Sequence, residues 1–142
     1  CIDDTCLATG ELLPVKDTPF DFNKRKRIGQ DLEAEHIQLK NAFGYDHSFV
    51  LNGTENQLTL EEPVSGRRLI ISTTAPVVQV YTGNFLKDGC IGKAGRVYEN
   101  REGVALETQL MPNAINTEEN PSTILRKGDK FESNTKYVFE IM

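Results

Sequence analysis

From residue 45 onward the chain reads as strands, and helical periodicity occurs only once before that point. Successive side chains of a strand point to opposite faces. In "GVALETQLMP" (103–112), Val104, Leu106, Thr108 and Leu110 therefore share one face, and Ala105, Glu107, Gln109 and Met111 share the other. "VVQVYTGNF" (77–85) repeats the pattern, with Val78, Val80 and Thr82 opposite Gln79, Tyr81 and Phe85. "GRRLIISTT" (66–74) is apolar on both faces at its centre, as an interior strand should be. "HSFVL" and "QLTLEE" flank "NGTEN", and Asn-Gly is a strong short-range turn cue, so a hairpin is expected there. The same Asn52 begins a glycosylation sequon, which the turn explains more simply. The last strand places Tyr137, Phe139 and Ile141 on one face.

The helical stretch is "RIGQDLEAEHIQLKNA" (27–42), with Ile28, Leu32 and Leu39 near one side and Gly29 inside it. A short or broken helix is expected. Residues 1–24 are turn-rich and have no sustained period, which predicts an irregular arm or short edge strands. Strands separated by turns, without internal repeats, predict an all-β antiparallel sandwich with at most one short helix. Residues 1–142 read as a single domain.

Composition narrows the function classes. Hydrophobic residues at 38% and charged residues at 26% describe a globular protein. No apolar run is long enough for a membrane span. A net charge of −5 argues against nucleic acid as a partner, and the basic run "NKRKR" (23–27) reads as a solvated loop face. Three cysteines (Cys1, Cys6 and Cys90) at irregular spacing form no disulfide framework, which points to a reducing, cytoplasmic setting. Cys1 stands where an initiator Met would, so a fragment or processed chain is expected.

Several tempting motifs fail. The loop "GCIGKAG" has Lys87 and Ala94 where a phosphate loop needs Gly and Ser or Thr. Cys1, Cys6, His36 and His47 lack zinc-site spacing, so no metal is expected. Cys90 reads as a loop thiol, and neither His has a triad context. What remains is the set of polar residues on strands. Taken singly, Glu107, Gln79 and Asp46 would be solvent-facing, as most such residues are. Together, on several strands and beside aromatic rings, they suit a carbohydrate, whose C–H faces pack on rings while its hydroxyls take hydrogen bonds.

Four separated motifs, "TGELLPVKDTPFDF", "GYDHSFVL", "SGRRLIISTTAPVVQVYTGNF" and "ALETQLMPNAIN", make nearly the whole chain resemble the C-terminal part of the aldose 1-epimerase (galactose mutarotase) family. The resemblance implies part of a large antiparallel β-sandwich that interconverts the α and β anomers of hexoses such as galactose and glucose, without a cofactor. By motif, Glu107 is the general base, and Asp46 and Gln79 hold sugar hydroxyls. Partial burial would raise the pKa of such a base toward the working pH. The family's acid, a His that protonates the ring oxygen, belongs to an N-terminal half absent from this chain, and His36 and His47 do not match its motif. The chain alone is therefore expected to be inactive, and to associate with that half or with a second copy of itself. Three departures stand out: Ala8, Ser48 and Asn113 replace the family's usual Pro, Asn and Asp. The rival readings are a non-catalytic sugar-binding module, a hexose-6-phosphate epimerase using Arg67 and Arg68, and a structural fragment with an exposed half-core.

Overall fold

The structure, a computed structural model, describes residues 1–86, 91–117 and 123–142. Cys90, and Lys87 of the rejected phosphate loop, lie outside the described residues. Among the described residues six strands, β1 (Asp46–Val50), β2 (Leu58–Glu62), β3 (Arg67–Thr73), β4 (Val77–Tyr81), β5 (Ala105–Gln109) and β6 (Thr135–Ile141), form two antiparallel three-stranded sheets. Their orders are β1-β4-β5 and β2-β3-β6. The chain alternates between the sheets, so neither is built from consecutive strands alone.

This interleaving overturns the expected Asn-Gly hairpin. β1 pairs with β4, from Asp46 opposite Tyr81 to Val50 opposite Val77, while β2 pairs with β3. The intervening loop crosses from one sheet to the other. Leu51 N–H donates to the Pro76 carbonyl at 3.0 Å, and further on Asn56 N–H donates to Ser72 Oγ at 2.9 Å. Gln57 Oε1 then accepts from Thr73 N–H at 2.7 Å. Gly53 does adopt a left-handed conformation (φ 71°). A turn residue fixes a local change of direction, however; which strands then pair is decided by the faces they bury. The tight hairpin is β2–β3, where the Glu62 carboxylate accepts from the N–H groups of Val64 (2.9 Å) and Ser65 (2.7 Å) and Gly66 turns the chain at φ 72°.

β3 is the central strand of its sheet, as its two-sided apolar pattern predicted. The sheets meet through a row of threonines: Thr135 Oγ1 of β6 lies 2.8 Å from Thr73 Oγ1 of β3 and 2.9 Å from Thr108 Oγ1 of β5. Beyond that row the same face of β6 is open. Tyr137, Phe139 and Ile141 are 47%, 78% and 77% exposed.

The helical stretch splits in two. A 3-10 turn covers Ile28–Asp31, and the helix α1 runs only Ile37–Ala42. His36 Nδ1 caps α1 by accepting from Gln38 N–H at 3.2 Å. The helix ends at Phe43 in the left-handed region (φ 56°), whose N–H reaches back to the last turn. The apolar stripe nevertheless does its work. Leu39 joins Phe20 and Tyr45 in the buried cluster, and Ile28, Leu32, Phe22 and Phe49 pack around it. The irregular N-terminal arm thus supplies Phe20, whose ring packs edge-on against Tyr45 (5.3 Å) and His47 (4.8 Å).

One knot carries this core into the sheet. Asn84 is buried just after β4, and its Nδ2 donates to the carbonyls of Ala42 (2.8 Å) and Tyr45 (3.0 Å). Its Oδ1 accepts from Thr82 Oγ1 at 2.7 Å. Gly44 lies against it at φ 144°, and a Cβ there would come within 2.5 Å of Asn84 Oδ1. The "GYDH" and "TGN" stretches are therefore two halves of one joint, which holds the end of α1 and the start of β1 against β4.

Candidate functional site

With β1 seated by that joint, strand register decides which side chains meet. Asp46 lies opposite Tyr81, Ser48 opposite Gln79, and Gln79 in turn opposite Glu107. All of these occupy one face of the β1-β4-β5 sheet. An open concavity of about 310 Å³ forms over them, with Asp46, Gln79, Tyr81 and Glu107 as its floor and Phe85, Gln109 and Pro112 at its sides. That volume is at the small end of the range of about 300–1,000 Å³ typical of ligand pockets.

The structure thus brings together the three residues singled out in the sequence. The parity argument also placed Tyr81, Phe85 and Gln109 on this face. It missed Pro112, and it missed Ser48 as a neighbour of the floor. Ser48 had a readable signal, since it shares the parity of Asp46 on β1.

The polar groups are ordered among themselves. Gln79 Nε2 donates to Asp46 Oδ1 at 2.8 Å, and Ser48 Oγ donates to Gln79 Oε1. Tyr81 Oη accepts from the Phe85 N–H at 2.9 Å, which leaves the hydroxyl hydrogen free to donate elsewhere. The partial burial expected for Glu107 is absent: its side chain is exposed. The reason is its place on the open face of the sheet, at the floor of the concavity.

Neither histidine reaches the concavity. His36 caps α1, with its ring 5.2 Å from Phe20. His47 turns to the opposite face, is 6% exposed, and accepts from the Asp46 N–H through Nδ1 at 3.0 Å. That bond requires the other nitrogen, Nε2, to carry the hydrogen of a neutral imidazole, and Nε2 is buried without a partner. Burial, above all, pushes the His47 pKa down to about 4. The unfolded chain consequently binds a proton between about pH 6.5 and 4 that the folded chain does not. Stability should rise with pH through that window and be lost as pH falls, by an amount of order 3 kcal/mol. Urea midpoints measured at pH 7 and pH 4.5 should separate more in the wild type than in His47→Phe. Equal separations would show that His47 does not carry the effect.

Two carboxylates and two amides line the concavity, a charge pattern that disfavours an anion there. Arg67 and Arg68 lie on β3 in the other sheet, where Arg68 is held by Glu61 (2.8 Å) and Glu140 (3.5 Å). Cys1 and Cys6 are free thiols. Among the described residues no three of His, Cys, Asp and Glu are grouped so as to hold a metal ion, and no helix is long and apolar enough to cross a membrane. The departures Ala8 and Asn113 meet each other, with Asn113 Nδ2 donating to the Ala8 carbonyl at 2.8 Å.

Comparison with known proteins identifies the family. The family model described as aldose 1-epimerase matches residues 1–138. Human galactose mutarotase is 38% identical over 143 residues, covering 99% of this chain and 40% of that protein. The aldose 1-epimerase of Haemophilus influenzae is 33% identical over 144 residues, covering 98% of this chain and 41% of that protein. The crystal structure of a GalM/aldose epimerase homologue from C. elegans superposes with a TM-score of 0.86 at 32% identity, over 99% of this chain and 42% of that one. The chain therefore spans about 40% of the length of the relatives it matches.

Proposed function

The chain belongs to the aldose 1-epimerase family, and from that membership we propose that it carries the general base and part of the sugar-holding surface of an enzyme that interconverts hexose anomers. The observation that carries the reading is the cross-strand arrangement of Asp46, Gln79 and Glu107 on one face of a sheet, beside Tyr81 and Phe85. In this reading Asp46 and Gln79 hold hydroxyls of galactose or glucose while Tyr81 and Phe85 border the C–H surface of the ring. Glu107 then takes the proton of the anomeric hydroxyl. As the electrons of that O–H bond form the carbonyl, the bond from C1 to the ring oxygen breaks, and the ring oxygen needs a proton. The open aldehyde rotates about C1–C2, and closure on its other face returns the proton to the opposite anomer.

The acid that serves the ring oxygen is not on this chain. His47 is buried behind the sheet and His36 is committed to a helix cap. We therefore assign the acid to residues beyond these 142, consistent with the fraction of its relatives that the chain spans. Polarimetry on freshly dissolved α-galactose tests both parts of the proposal. The full-length protein should speed mutarotation, and residues 1–142 alone should not. Acceleration by the isolated chain would overturn the division of labour, and none by the full-length protein would favour a non-catalytic sugar-binding module. A hexose 6-phosphate should compete poorly, because the concavity offers two carboxylates and the Arg67–Arg68 pair stands on the other sheet.

A further inference from the structure

The floor of the concavity contains a hydrogen-bond chain whose direction is forced. A carboxylate only accepts, so the end of the Gln79 amide that lies 2.8 Å from Asp46 Oδ1 must be its NH₂. The other end is then the carbonyl, and the group beside it, Ser48 Oγ, must be the donor. The order is Ser48 O–H to Gln79 C=O, and Gln79 N–H to Asp46 carboxylate. Each bond polarises the next. Ser48 and Gln79 are also directly opposite in the β1–β4 register, so strand pairing itself sets their distance.

We propose that Ser48 is a positioning residue that holds Gln79 as a hydrogen-bond donor toward a sugar hydroxyl. The proposal rests on reading the concavity as a sugar site. With its carbonyl engaged by Ser48 and one N–H by Asp46, Gln79 has its second N–H left to offer a ligand. Asp46 keeps Oδ2 as an acceptor beside it. A donor next to an acceptor matches one hydroxyl that accepts while it, or its vicinal neighbour, donates, which is the arrangement of adjacent hydroxyls on a pyranose. Without the serine, the amide is tethered only through its bond to Asp46 and can rotate about it, which re-aims the second N–H away from the hydroxyl. Ser48 is paired with Gln79 and stands one strand further from Glu107, so its loss should weaken binding of the ground state and transition state alike.

The test uses the full-length protein with Ser48→Ala and Ser48→Asn, of which only the Asn variant can replace the lost donor, through its own NH₂. Ser48→Ala should raise KM for α-galactose roughly three- to tenfold while kcat changes less than about twofold, the pattern of lost uniform binding. Ser48→Asn should bring KM most of the way back. An unchanged KM in Ser48→Ala, or an Asn variant as impaired as the Ala variant, would overturn the proposal. The Gln79 side-chain amide pair in a ¹⁵N–¹H spectrum provides a second readout that needs no turnover. Its two hydrogens should shift in Ser48→Ala and return in Ser48→Asn, and amide signals that ignore both substitutions would refute the lock. If the wild-type protein turns over no aldose, the functional reading fails, while these amide signals still decide for or against the positioning role.

Discussion

Glu107→Gln in the full-length protein should lower kcat for α-galactose mutarotation by about 10²–10⁴-fold, the usual contribution of a positioned acid–base group. KM should stay within a few-fold of wild type. The glutamine amide keeps the size of the carboxylate and its ability to hydrogen-bond, but it cannot accept the anomeric proton. A loss confined to kcat would mark an interaction made in the transition state alone. The register strengthens this expectation, since Glu107 is directly opposite Gln79 on β4 and so is held at a fixed offset from the groups proposed to hold hydroxyls. A near-normal rate in Glu107→Gln would remove it from the role of base. A tenfold or larger rise in KM with kcat intact would make it a binding residue instead.

Phe20→Ala should destabilise the protein by about 3–5 kcal/mol, the range for deleting a buried aromatic ring. That is a large share of the 5–15 kcal/mol typical of a folded domain. Phe20 contacts the rings of Tyr45, His47 and Phe49, so its removal leaves a cavity bounded by side chains that flank Asp46 on both sides. The effect should therefore reach the site, with weaker sugar binding in whatever fraction remains folded. Denaturant unfolding should show a lower midpoint at an unchanged m-value. A loss below about 1 kcal/mol would mean that the surrounding rings collapse into the space, the condition under which such truncations are mild.

These two residues were legible in the sequence to different degrees. Glu107 was found by parity and named by resemblance, because a period of two depends only on local backbone geometry. Phe20 lies in a turn-rich arm with no period to read, and its ring contacts are with His36, Tyr45, His47 and Phe49, which follow it by 16 or more positions. Ser48 is intermediate. Its face was readable from Asp46, but its partner on β4 was not, because the turn cue after β1 pointed to a hairpin with β2. The exposure of Glu107 was misjudged for a related reason: whether a sheet face is covered depends on what packs over it from elsewhere in the chain, and no pattern within the strand records that.

Residue order alone specifies the class of structure, the faces of the strands, and the polar residues that share a face with aromatic rings. Each of these follows from alternation and residue chemistry within a few positions. That β1 pairs with β4, so that Asp46, Ser48, Gln79 and Glu107 converge, and that both histidines are withdrawn from the concavity, appears in the folded chain alone. The same holds for the hydrogen bonds of Gln79 to Ser48 and Asp46. The physical reason is that strand pairing and burial are set by which apolar faces can cover one another across the whole chain. Local turns can permit that choice but cannot make it.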